Sequence, residues 1–343
     1  MNILFVTDHY LPAVNGIVTQ IVVIKQELEK RGHKVFIAAP CFDEKEVDQE
    51  CNDVFKIPSI KFILRPQDRI CMPFDSKLEK KLINKDFDII HEHGCWSGML
   101  AIKLARKKYL PTVVTLHTSI HEYASWLFPW AKQLINPVSN WLTYAYFGQF
   151  DKVLAPSIKA MKVLKKSKVD TSLELLHNGI PLWKLDGIQP ELFKKKYKIE
   201  DKDELIVLVG RIDVGKNVHL AIKAMRLVLK KRPNAKLAII GDGSLKKKMQ
   251  NLIKRYDLEE RVFITGFIDY NYVISANKLS KLAIMTSDAD TLPTVAIEGI
   301  ACGNPMVAVY DDAITAIVKD GENGILTPKK IAPIAEAIIK VLS

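Results

Sequence analysis

The chain lacks the marks of a membrane span, a disulfide scaffold or a structural metal knot. Only five cysteines occur in 343 residues (Cys41, Cys51, Cys71, Cys95 and Cys302), and none stand in CxxC spacing. An odd, scattered set argues against paired disulfides and structural zinc, and for a reducing compartment. No run approaches the roughly 20 apolar residues that a spanning helix needs. The opening MNILFVTDHY meets Asp8 at once and has no cleavage-type region, so it reads as a first strand rather than a signal peptide. These absences place the protein in the cytoplasm as an expectation. Short repeats and low-complexity tracts are also missing. Acidic residues are outnumbered, 39 against 50 basic, leaving a net charge of +11. That excess favours anionic partners such as phosphorylated substrates, acidic headgroups or nucleic acid. Lysine runs such as Lys194–Lys196 and Lys246–Lys248 read first as solvated helix faces.

What is present is a globular composition, 48% hydrophobic and 26% charged, with length enough for two domains. Apolar runs of five to seven residues alternate with helical patterns throughout. NILFV, KVFIAA, FDIIHEH, TVVTLHT, KVLAPS and SLELLHN fill the first half; ELIVLVG, AKLAIIG, RVFITG, KLAIMTS, PMVAV and GILT fill the second. Continuous apolar strands alternating with helices imply parallel sheets covered on both faces. Two series of about five or six strands exceed one typical sheet. The Gly- and Pro-interrupted stretch at 178–190 marks the boundary. The expected architecture is α/β, with two doubly wound Rossmann-like domains, 1–182 and 183–343, facing each other across a cleft. Ligands of such sheets bind beyond the carboxyl ends of the strands.

Residues 122–150 stand apart in holding Trp126, Trp130 and Trp141 together with Phe128, Tyr144, Tyr146, Phe147 and Phe150. They fit either a buried helix pair or an interfacial surface, where Trp and Tyr suit the headgroup boundary.

The chemistry is announced by Gly210-Arg-Ile-Asp-Val-Gly215-Lys216, a strand-to-helix loop that matches G-x-x-x-x-G-K but is followed by Asn217. A phosphate-loop hydrolase needs Ser or Thr there to ligate magnesium. In the second half, Asp290 and Glu298 flank a helix start near Pro293. Free amides at such a start favour phosphate or sugar oxygens, and the two carboxylates suit hydrogen bonding to a neutral polyol. His91 and His93 of HEH share a strand face but show no third ligand, so no metal site is expected.

Together these residues resemble a family. The segment Asp290–Ala301 is similar to the acidic-x7-Glu signature of retaining glycosyltransferases of family four, which have the GT-B fold. The run Cys302–Ala308, the Asp320–Gly324 turn, Val209-Gly210-Arg211, Lys216-Asn217 and Ile240–Gly243 resemble further motifs of that family in order and spacing. The first domain matches through Gly16, Glu29–His33 and His117-Thr118. Departures are Asp290 where Glu is common, Gly215 where Glu often precedes the lysine, and Asn15-Gly16 for a double glycine.

The resemblance implies the following roles. Arg211 and Lys216 hold the donor diphosphate, so Asn217 needs no hydroxyl. Glu298 binds the donor ribose and Asp290 the transferred hexose. The backbone at Leu292 and Thr294 meets sugar or phosphate oxygens. Gly16 lets a first-domain loop approach the diphosphate, and His117 lies near the reaction centre. The implied reaction moves a hexose from a nucleotide sugar, UDP-linked, to an acceptor hydroxyl and gives an α-glycoside without cofactor or metal. Charge, the aromatic segment and similarity to glycolipid-forming members point to a membrane lipid headgroup and peripheral attachment at the inner face of the cell membrane. A soluble sugar or polysaccharide acceptor is the alternative. Nucleic acid is not an expected partner, and nothing in the sequence sets the oligomeric state. From other classes, a phosphate-loop hydrolase and a charge-driven binder without catalysis are the competing readings.

Overall fold

A computed structural model of the chain describes residues 1–11, 13, 15–40, 53–61, 69–72, 75–119 and 132–343. They divide into two compact units, Met1–Gly179 and Ile180–Ser343.

In the first unit the strands are β1 (Asn2–Val6), β2 (Lys34–Pro40), β3 (Val54–Ile57), β4 (Ser59–Lys61), β5 (Arg69–Cys71), β6 (Ile89–Glu92), β7 (Thr112–Thr115), β8 (Lys152–Ala155) and β9 (Ser172–Leu175). Between them lie α1 (Gly16–Lys30), α2 (Ser76–Ile83), α3 (Gly98–Lys108), α4 (Lys132–Phe147) and α5 (Ile158–Lys166). Seven of the strands form one sheet in the order 3-2-1-6-7-8-9, and β4 and β5 form a separate antiparallel pair. Every pairing in the large sheet is parallel. β3 and the β4–β5 pair go beyond the sequence reading. β3 is a half-buried edge strand, and its polar interruption weakens the apolar signal.

The second unit has β10 (Glu204–Val209), β11 (Ala235–Ile240), β12 (Val262–Gly266), β13 (Leu282–Met285), β14 (Met306–Val309) and β15 (Gly324–Thr327). Its helices are α6 (Glu191–Tyr197), α7 (Val218–Val228), α8 (Lys246–Arg255), α9 (Tyr270–Leu279), α10 (Thr294–Ala301) and α11 (Ile331–Leu342). The sheet order is 12-11-10-13-14-15, all parallel. Counted within the unit this is 3-2-1-4-5-6, the doubly wound order in which the chain reverses direction between the first and fourth strands.

Burial on both faces explains the continuous apolar strands. Ile206 and Leu208 join α7, α8 and α11 on one side of the sheet, whereas Leu205 and Val207 pack with α6, α9 and α10 on the other. The first unit repeats this: Phe5, Ile37 and Ile21 of α1 form one layer, and Leu4, Ile90, Leu100 and Leu164 another.

α4 inverts the usual pattern. Ser139 and Thr143 are buried and Phe147 packs inward, while Val138, Trp141, Leu142 and Tyr144 are exposed, Trp141 by 63%. Tyr146 lies against α3, where a Cβ on Gly98 would meet its ring. The aromatic segment is therefore neither wholly core nor wholly surface. Residues 122–131 of it, with Trp126 and Trp130, lie outside the described residues. Among the described residues no helix is long and apolar enough to cross a membrane.

Candidate functional site

The second unit's sheet reverses at the β10/β13 boundary, and the loops leaving those two strands carry most of the residues singled out above. They are sewn together. The hydroxyl of Thr286 donates to Lys216 O at 2.8 Å, and Asp288 N donates to Gly215 O at 3.3 Å. The Asn217 amide nitrogen reaches Gly215 O at 3.1 Å, Thr286 O at 3.2 Å and Asp288 Oδ1 at 2.9 Å. Asn217 also sits at φ 52°, a left-handed conformation that Asn tolerates better than most residues. Its job is thus to staple two loops, which explains why an amide serves where a hydrolase loop would need a hydroxyl.

This stapling joins the two charged groups. Lys216 Nζ donates directly to Asp290 Oδ1. Arg211, at the start of the same loop, pairs with Asp213 Oδ2 at 3.2 Å. Asp213 Oδ1 accepts in turn from the backbone and hydroxyl of Ser244, both at 2.8 Å, beyond β11. Glycine makes the crowding possible. A Cβ on Gly215 (φ 87°) would stand 2.7 Å from Ala289, and one on Gly241 (φ 148°) 2.0 Å from Gly210 O.

Pro293 caps α10 in extended backbone rather than opening the helix, and Thr294 is its first residue. Leu292 is buried beside it and Thr294 half-buried. Glu298 faces inward, 6% exposed, and accepts from the Tyr270 hydroxyl at 3.2 Å. Burial pushes its carboxyl up to about 7, against the opposing effects of the Tyr270 hydrogen bond and the Lys184 charge. Tyr270, at the start of α9, was not legible in the sequence as its partner.

Arg211, Lys216, Asp290 and Glu298 therefore all belong to loops or a helix at the carboxyl edge of one sheet, with Lys216 and Asp290 in contact. None of the four lines the cavity of about 500 Å³ between α7 and α8, which is walled by Asp213, Val214, His219, Lys223 and Lys248 behind the loop.

Gly16 and His117 belong to the first unit. Gly16 opens α1, capped by the Asn15 side chain, which accepts from Val18 N at 3.0 Å. His117 follows β7, and its Nε2 lies 3.0 Å from Nδ1 of His93, which follows β6. Burial holds His117 neutral, lowering it to about 3, with the neighbouring His91 and His9 adding to the effect. HEH thus resolves into opposite faces. His91 and His93 lie 3.9 Å apart between ring centroids, tilted by 35°, and Glu92 points the other way to accept from Gly94 N and Ser97 Oγ at 2.7 and 2.9 Å. Asp8, past β1, accepts from the amides of Cys95, Trp96 and Ser97 and so anchors the start of α3. Among the described residues no three His, Cys, Asp or Glu side chains are grouped to hold a metal ion.

Two family models cover this framework: Glycosyltransferase Family 4 over residues 14–184 and Glycosyl transferases group 1 over residues 189–343. The alpha-monoglucosyldiacylglycerol synthase of Streptococcus pneumoniae is 30% identical over 341 residues, covering 95% of this chain and 75% of that protein. The alpha-monoglucosyldiacylglycerol synthase of Acholeplasma laidlawii is 27% identical over 350 residues, covering 96% and 85%. Among solved structures, HepE of Anabaena in complex with UDP and glucose superposes with a TM-score of 0.77 at 18% identity, covering 100% of this chain and 90% of that one. Sucrose-phosphate synthase from Thermosynechococcus elongatus gives 0.78 at 20%, covering 99% and 89%. The chain belongs to glycosyltransferase family 4, and its paired doubly wound domains are the GT-B fold.

Proposed function

We propose that the protein transfers a hexose, with retention at the anomeric carbon, from a UDP-sugar to a hydroxyl of a membrane lipid headgroup, giving an α-glycoside. The observation that carries this is the stapling of the β10 and β13 loops, which sets Lys216 against Asp290 where the strand order reverses. A diphosphate bound at that edge meets an ammonium and, from the same loop, a guanidinium. Arg211 supplies a planar fork and Lys216 a point charge. Both stabilise the charge that grows on the departing nucleoside diphosphate, usually the largest single contribution to such catalysis. Asp290 then exchanges its lysine for a hexose hydroxyl, and Glu298 accepts from the ribose. The described residues offer no clear nucleophile, so the reading follows front-side displacement, with the leaving phosphate taking the acceptor's proton. It assigns no step to a metal ion or cofactor. The roles that the family resemblance implies for Gly16, toward the diphosphate, and for His117, toward the transferred sugar, are part of the same proposal.

The lipid acceptor is supported by the names of the two synthases above and by the outward apolar face of α4 beside a net charge of +11. The UDP donor is supported by the UDP and glucose held by the HepE structure. Peripheral attachment to the inner face of the membrane is part of the same proposal, and the net charge and the outward face of α4 support it. The test is a panel of radiolabelled nucleotide sugars incubated with diacylglycerol-containing vesicles, with the anomeric configuration of the product read by NMR. Incorporation from a UDP-hexose into lipid with an α-linkage is expected. Label passing only to soluble sugars would replace the acceptor, and a β-linkage would end the retaining mechanism.

A further inference from the structure

His93 is wholly buried, and its Nε2 has no hydrogen-bond partner among the described residues, whereas its Nδ1 is 3.0 Å from His117 Nε2. The ring has little freedom to turn. It lies against His91 with the rings tilted by 35°, His91 having its own Nε2 2.8 Å from the Thr115 hydroxyl, and it meets Phe5 at 4.8 Å between centroids. Between two neutral imidazoles one nitrogen donates and the other accepts. If His117 donated, the proton of His93 would sit on Nε2, a buried N–H with nothing to receive it. If His93 donates, the unmatched atom is only a lone pair. Buried orphan N–H groups are the rarer of the two.

We propose that His93 is the positioning residue of His117, donating Nδ1–H to its Nε2 and so holding His117 as the tautomer that carries its proton on Nδ1. With Nε2 engaged by His93 and the proton on Nδ1, His117 has no free lone pair with which to act as a base, in keeping with a proton that leaves on the phosphate. Burial favours the neutral form of both rings. The catalytic consequence rests on the transfer reading above; the tautomer does not.

The test uses the full chain labelled with [15N]histidine and long-range proton–nitrogen correlation at pH 7. The eight histidines give separable patterns, and His117→Gln assigns the one of interest. The expected pattern for His117 is a protonated Nδ1 and an unprotonated Nε2; the reverse overturns the proposal. His93→Asn places an amide nitrogen near the lost Nδ1 and should keep both the pattern and kcat within about threefold. His93→Phe removes the donor. It should release His117 to the Nε2–H form and lower kcat about tenfold, the worth of one hydrogen bond, with little change in KM for the donor. An unaltered His117 pattern in His93→Phe also overturns the assignment. Should that variant not fold, the wild-type and His93→Asn spectra decide. A wild-type Nδ1–H pattern in a protein that transfers no sugar would leave this assignment standing and remove the proposed function instead.

Discussion

At the scale of single residues, charge is placed by hydrogen bonds rather than by sequence proximity alone. Lys216→Ala should lower kcat/KM by about 10²–10³, the cost of removing one preorganised group from a developing anion, with folding little affected. Substitution by Arg should restore only part of this, because the larger planar guanidinium does not place its charge where the compact ammonium stood. A transfer assay with circular dichroism on each variant checks both statements. Glu298 gives a pH signature. Its folded value, about 7, lies above the ordinary 4.5, so the proton is held more tightly in the folded chain. Its contribution to stability is complete below pH 4.5 and is lost as pH rises through 7. With the ribose role proposed for Glu298 the direction for donor binding is opposite, since only the ionised carboxylate can accept from two hydroxyls. The KM for donor should fall as pH rises through about 7, and Glu298→Gln should flatten that profile. A flat profile in the wild type would remove the ribose assignment.

At the scale of elements, the site depends on how closely two loops approach. Asn217→Ala removes the staple and leaves a left-handed φ of 52° to an unsuited residue, whereas Asn217→Gly removes only the staple. Stability should drop by about 1–3 kcal/mol in the first and by less in the second, measured by denaturant unfolding. No loss in Asn217→Gly would mean that the backbone, not the amide, joins the loops. Gly241→Ala should cost more, about 3 kcal/mol or above, because its Cβ would overlap Gly210 O. On α4, Trp141→Ser should weaken vesicle binding without unfolding, since the ring is mostly outside the core. Loss of the fold instead would show that the exposed face of α4 is structural.

At the scale of the whole molecule, a net charge of +11 with an exposed apolar helix face suits a surface that is both anionic and oily. Each basic group near an acidic bilayer contributes about 1 kcal/mol, and salt screens that attraction. Binding to vesicles containing anionic lipid should therefore fall steeply between about 0.05 and 0.5 M salt, as read by flotation. Retention at high salt would assign the attraction to the apolar face alone. The sheet orders also operate at this scale. Both reverse between the first strand and a strand from the middle of the unit, so both gather ligand-facing loops at one edge.

Parallel, twice-covered sheets were legible because strands buried on two faces read as unbroken apolar runs. Motif order and spacing brought Arg211, Lys216, Asp290 and Glu298 forward as candidates, since each occupies a loop or helix start whose local chemistry is written in adjacent residues. Tertiary structure alone decided their partners. Nothing near Asn217 in the chain names Thr286 or Asp288, nothing near Glu298 names Tyr270, and HEH gave no hint that His93 would meet His117 from the neighbouring strand. Those contacts depend on strand order, which brings together loops separated by dozens of residues. The outward face of α4 was also undetermined, because an inward Ser139 and Thr143 reverse the rule by which apolar residues are assigned to a core.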